Sequence, residues 1–226
     1  MRLSASPLPR FFAVAAVALL ALTLAWRPVS GFLAAPAAWL AATTMQTLFP
    51  SWVRSAKGGV GHLEVETRLT VKPSAQQVAE ATRAGQRIPE GAVAELVLEA
   101  DPSLPGYGLP ILLALLLAAR GKRLIARALL GAACLVPFQA YCLVTELLKQ
   151  AAITSGAAAQ TGFSTLQINL IAYAYQLGAL LVPTLAPILI WVWLDRAFFA
   201  AVVIDGWLER TQAERTQAER TPSAEQ

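Results

Sequence analysis

The chain has 226 residues, 56% of them hydrophobic and only 14% charged, with one His, two Cys and a net charge of +4. So few charges, gathered between long apolar runs, point away from a nucleic-acid surface and towards an integral membrane protein. In lipid every backbone N–H and C=O must be satisfied within its own segment, so such runs cross only as helices.

The N-terminal residues carry Arg2 and Arg10 ahead of the apolar run Phe11–Trp26, in the manner of a signal anchor. The run closes on Ala25-Trp26-Arg27-Pro28, bulky and charged where a cleavage site needs small residues, so an uncleaved first span is expected. Phe32–Phe49 is apolar enough to cross but contains Pro36 and the polar residues Thr43, Thr44, Gln46 and Thr47. Charge arbitrates here. Arg120, Lys122, Arg123 and Arg127 form the strongest basic cluster and belong on the cytoplasmic side. A second full crossing by Phe32–Phe49 would put that cluster outside. The segment is therefore expected to continue the first helix after a break, or to lie in the outer interface.

Residues 51–108 change character. Leu63, Val65, Thr67, Leu69 and Val71 alternate with polar residues, which predicts a half-buried strand ended by Pro73. A second strand is expected over Ala92–Ala100, with a short helix at Gln76–Arg83 between the two. Two strands alone are marginal in water, so their apolar face needs the membrane surface, Phe32–Phe49 or a partner to cover it. That need is the best sequence-level hint of an interaction surface. His62 and the nearby glutamates fall on the polar face of one strand, which solvation explains better than catalysis.

Pro105–Ala119 supplies a short second span of about 22 Å, which Arg120, Lys122 and Arg123 lengthen by snorkelling. A third span is expected from about Ala128 to Leu148 and a fourth from Ile168 to Leu194, with Asp195 and Arg196 marking the return to the cytoplasm. The fold class is thus an α-helical membrane protein of about four transmembrane helices with a small extracytoplasmic β-containing segment. It divides into an anchor at 1–50, the β segment at 51–108, a three-helix membrane region at 109–196 and a cytoplasmic tail at 197–226. The tail repeats Glu-Arg-Thr-Gln-Ala from Glu209 and again from Glu214, balanced in charge and without an apolar face.

Polar side chains inside spans are costly and face protein or a cavity. Gln139, Glu146, Lys149, Gln176, Gly178 and Pro183 are therefore the candidate helix–helix or partner contacts. Glu146 and Lys149, three apart, can pair on one helix face. Gln139 and Gln176 fall at similar depth and can hydrogen-bond across helices, for about 1 kcal/mol. Cys134 and Cys142 lie on one predicted helix at about 12 Å separation, beyond disulfide reach, and read as small apolar packers. No metal-ligand spacing accompanies His62, so neither a metal nor another cofactor is expected.

Several stretches together carry a family resemblance: Leu-Phe-Pro at Leu48–Pro50, Tyr-Gly-Leu-Pro at Tyr107–Pro110, and Val-Pro-Phe-Gln-Ala-Tyr at Val136–Tyr141. Leu-Leu-Lys-Gln at Leu147–Gln150 and the Tyr-Gln-Leu-Gly run through Tyr175–Pro187 complete the order. The chain resembles the exosortase H-associated membrane proteins of Gram-negative bacteria over roughly Phe11–Trp193, without the repeated tail. The resemblance implies a non-catalytic accessory subunit in the inner membrane, beside a transpeptidase-like protease that processes proteins with a C-terminal sorting tail. It implies membrane lipids and an exosortase, or another polytopic membrane protein, as partners. Such a protease groups Cys, Arg and His on the outer side, whereas both cysteines here lie within the third span. The competing class is a small transporter or membrane enzyme using Gln139, Glu146, Lys149 and Gln176 as a buried polar path, although no inverted repeat supports it.

Overall fold

A computed structural model describes residues 7–72, 93–154 and 156–200, together with Arg83, Gly85 and Thr211. Helix α1 runs unbroken over Pro7–Leu48, 42 residues, with Pro28 and Pro36 inside it. At 1.5 Å per residue that is about 63 Å, roughly twice the hydrocarbon thickness. The second apolar segment therefore continues the first helix, one of the two expected arrangements, but without the expected break.

The strand segment folds onto the far half of α1. Strands β1 (Val53–Gly59), β2 (His62–Val71) and β3 (Ala94–Ala100) form an antiparallel sheet in the order β1-β2-β3. The alternation expected for β2 is seen, with Leu63, Val65, Thr67 and Leu69 buried. Its register against β3 shifts between Glu66 and Thr70, and Thr67 Oγ1 donates to Leu96 O (2.6 Å) inside that bulge. β1 was not expected. Its sequence, Val-Arg-Ser-Ala-Lys-Gly-Gly, lacks alternation, and its place is set by contact with α1. A Cβ on Gly58 would strike the Ala38 carbonyl, so only glycine lets the strand lie this close to the helix backbone. The expected short helix at Gln76–Arg83 falls outside the described residues but for Arg83.

Leu63, Val65, Leu69 and Leu98 of the sheet share one core with Ala37, Ala38, Ala41 and Met45 of α1 and with Leu143, Leu147 and Ala151 of α3 (Leu124–Ile153). The apolar face that needed a cover is thus closed, among the described residues, by the chain itself. Gln150 Nε2 donates to Glu99 O (2.8 Å), and the Gln160 amide brackets Thr70, accepting from its N–H and donating to its carbonyl.

The other half of the molecule is a helix bundle. A 3-10 turn at Pro105–Tyr107 leads into α2 (Gly108–Ala119). After α3 comes the short α4 (Ala158–Thr161), then α5 (Thr165–Gln176), started by a capping box between Ser164 and Gln167. A π-turn at Leu177–Leu181 joins α5 to α6 (Val182–Leu194), and α7 (Arg196–Phe199) follows. Phe11, Leu112, Leu116, Leu135, Ile190 and Trp191 centre this second core. Among the described residues three helices are long and apolar enough to cross a membrane, Pro9–Leu48, Leu124–Ile153 and Thr165–Leu194, while Pro105–Ala119 is a shorter apolar helix.

Candidate functional site

The shortness of α2 creates the site. α1 passes Trp26 and continues beside the sheet, but α2 begins only at that level: Gly106 lies under the Trp26 indole, where a Cβ would come within 2.5 Å of Cζ2. Beyond Pro105 the bundle has lost one member. The space left is a cavity of about 430 Å³ lined by Leu104, Pro105 and Tyr107, by Cys142 and Glu146 of α3, and by Tyr175, Gly178, Ala179, Pro183 and Thr184.

The last wall owes its shape to proline. Pro183 has no N–H to give the Ala179 carbonyl, and the chain takes up the mismatch as a π-turn in which the Val182 N–H reaches back to Leu177 O. Pro187 likewise cannot donate to the Pro183 carbonyl. Gly108 approaches that oxygen so closely that a Cβ would stand 3.2 Å from it. Gly178 is the contact between this wall and α3, where a Cβ would meet Thr145 Oγ1 at 2.9 Å and Cys142 Cα at 3.3 Å. Tyr141 Oη donates to Ala174 O (3.0 Å) and ties the two helices one turn away.

Three of the six candidate residues, Glu146, Gly178 and Pro183, therefore share one cavity. Lys149 sits at its rim, with Nζ 3.8 Å from the centroid of the Tyr175 ring. The expected Glu146–Lys149 pair does not form: Lys149 turns to the tyrosine face, and the half-buried Glu146 carboxylate has no ion pair or hydrogen bond among the described residues. Gln139 is 5% exposed, inside protein as expected. Gln176 is exposed, contrary to expectation, and no hydrogen bond joins the two amides. They are offset because the helix segments meet at Gly178, which turns its neighbour Gln176 off the contact face.

Chemically the cavity is an apolar chamber with one uncompensated carboxylate and a few hydroxyls. It suits the binding of a cationic or hydrogen-bond-donating group. His62, the one imidazole in the chain, is remote from it, at the β1–β2 turn with Nδ1 3.1 Å from Val60 O. His62 borders an open depression of about 490 Å³ with Glu64, Glu99 and Asp101, at the solvated end of the β2–β3 pair. Further along the same polar face, Glu66 accepts from Ser55 Oγ (2.7 Å) and faces Lys57, and these hold its carboxyl below the ordinary range.

The model of the exosortase H-associated membrane protein family matches residues 5–198. The chain belongs to that family. Comparison with curated proteins and with solved structures finds no significant match. The family's name indicates a membrane protein associated with exosortase H, and the three long apolar helices agree with the first part of it. The 430 Å³ cavity had only a partial sequence signal: Glu146, Gly178 and Pro183 are visible as a polar, a packing and a breaking residue, but Leu104 and Ala179 carry none.

Proposed function

We propose that this protein is a non-catalytic accessory subunit of an exosortase H protein-sorting system in the bacterial inner membrane. Family membership over residues 5–198 is the observation that carries the reading. In this reading α2 completes four passes, Arg120, Lys122, Arg123 and Arg127 lie in the cytoplasm with both termini, and the sheet projects outside. The units are the anchor at 1–50, the β segment at 51–108, the membrane region at 109–196 and the cytoplasmic tail at 197–226.

Partner contact falls to the cavity and its surroundings. Glu146, Gly178 and Pro183 line the chamber, Lys149 stands at the rim, and the exposed Gln176 amide lies on the adjoining helix. An amide at that depth that its own chain leaves uncovered favours a polar partner helix over lipid. The buried Gln139 keeps a packing role within the subunit. A connected polar path for transport has less support, since no hydrogen bond links any two of Gln139, Glu146, Lys149 and Gln176 among the described residues.

Cells that express the exosortase and a substrate with a C-terminal sorting tail test the non-catalytic role. Removing this chain should lower processing. Cys134→Ser and His62→Gln should each restore it to the wild-type level. Loss of processing by any of these variants, with the protein still present in the membrane, would make the chain a catalytic component.

A further inference from the structure

The geometry points to a binding site for the headgroup of an anionic phospholipid, between the start of α1 and the end of α2. A groove of about 290 Å³ lies there, lined by Arg10, Phe11, Val14, Ala118, Ala119, Arg120 and Phe198. Both guanidinium side chains are exposed, and neither has an ion pair or hydrogen bond among the described residues. Arg127, another arginine of this end, is already committed to Asp195 at 2.8 Å. Two guanidinium groups without a partner among the described residues thus border one apolar groove.

Backbone geometry holds them there. Arg120 ends α2 in the left-handed conformation, with φ 50° and ψ 32°, its N–H bonded to Leu117 O. Arg10 stands in the first turn of α1, which carries no acidic residue, at the positive end of the helix dipole. The floor is rigid: Phe11 stacks on Trp191 at 5.6 Å and packs on Phe198 at 5.2 Å between ring centroids. Val14, Ala118 and Ala119 offer an apolar wall running into the bundle, where an acyl chain lies flat while the phosphate stays at the arginines. Arginine matches phosphate in a bidentate fork, and basic pockets between membrane helices take anionic headgroups. Both arginines sit where apolar helices end, at the headgroup level, so the occupant is a lipid phosphate. This assignment does not depend on the exosortase reading.

The test is native mass spectrometry of the full chain, equilibrated with equimolar phosphatidylglycerol and phosphatidylethanolamine in mild detergent. The wild type should retain phosphatidylglycerol in preference. Arg10→Gln and Arg120→Gln should each lower its apparent affinity about fivefold, as expected for one cation at a membrane surface. Lys72→Gln, which removes the same charge at the end of β2, should leave it unchanged. Equal retention of the two lipids by the wild type would overturn the proposal without any variant, and so would an equal loss on Lys72→Gln. Displacement of the lipid by an equal concentration of glycerol 3-phosphate would make this a site for free phosphates and overturn the lipid assignment.

Discussion

Asp195 and Arg127 join the end of α6 to the first turn of α3 through a 2.8 Å ion pair, with the aspartate side chain 6% exposed and the arginine 30%. The attraction is electrostatic: neither Arg127 Nη1 nor Asp195 Oδ2 finds a hydrogen-bond partner with good geometry. Gly121 gives the pair room, since a Cβ there would strike the guanidinium. Removing one partner of a buried pair leaves a charge uncompensated, and the arginine's partial exposure discounts the cost. Asp195→Asn should therefore destabilise the protein by about 1–3 kcal/mol, lowering the thermal unfolding midpoint in detergent; an unchanged midpoint would show that the pair contributes nothing. In the sequence Asp195 reads only as the residue that ends the last apolar run. Its partner is distant along the chain, and pairing of that kind leaves no local pattern. Glu146 and Lys149 show the converse: spacing three apart suggested a pair, but the Tyr175 face competes for the ammonium group.

At the scale of elements, apolar runs and strict alternation were legible because each reflects burial along one segment. The C-terminal end of the last span and the buried face of β2 follow directly from them. β1 was not legible, because Gly58 and Gly59 serve a close approach to α1 rather than a strand pattern. Continuity of α1 was hidden by its two prolines. Each removes one backbone bond, a loss that a long helix with both halves packed absorbs. The unbroken helix makes a direct prediction. Spin labels at the exposed positions Phe12 and Thr47 should lie about 52 Å apart along a straight axis, somewhat less with gentle proline bends. A distance under about 35 Å, measured by pulsed electron resonance in detergent, would mean the chain turns back near Pro28.

The whole molecule is two cores stacked along one long helix. One core is a membrane bundle, and the other is a small sheet closed by α1 and α3. The cavity sits where they meet, because α2 stops at Trp26 while α1 and α3 continue. Its wall was only half legible in the sequence, since a void left by a short helix depends on the lengths of its neighbours. Self-closure of the sheet moves the expected partner surface away from the strands to this junction, around Glu146, Lys149 and Gln176. Co-purification of the tagged full-length chain in mild detergent, from cells that also express the exosortase, tests the association most directly. The account predicts that the exosortase is recovered with the wild type and that a Glu146→Leu, Gln176→Leu double variant, still inserted in the membrane, recovers much less. Recovery of the wild-type chain alone would contradict the account.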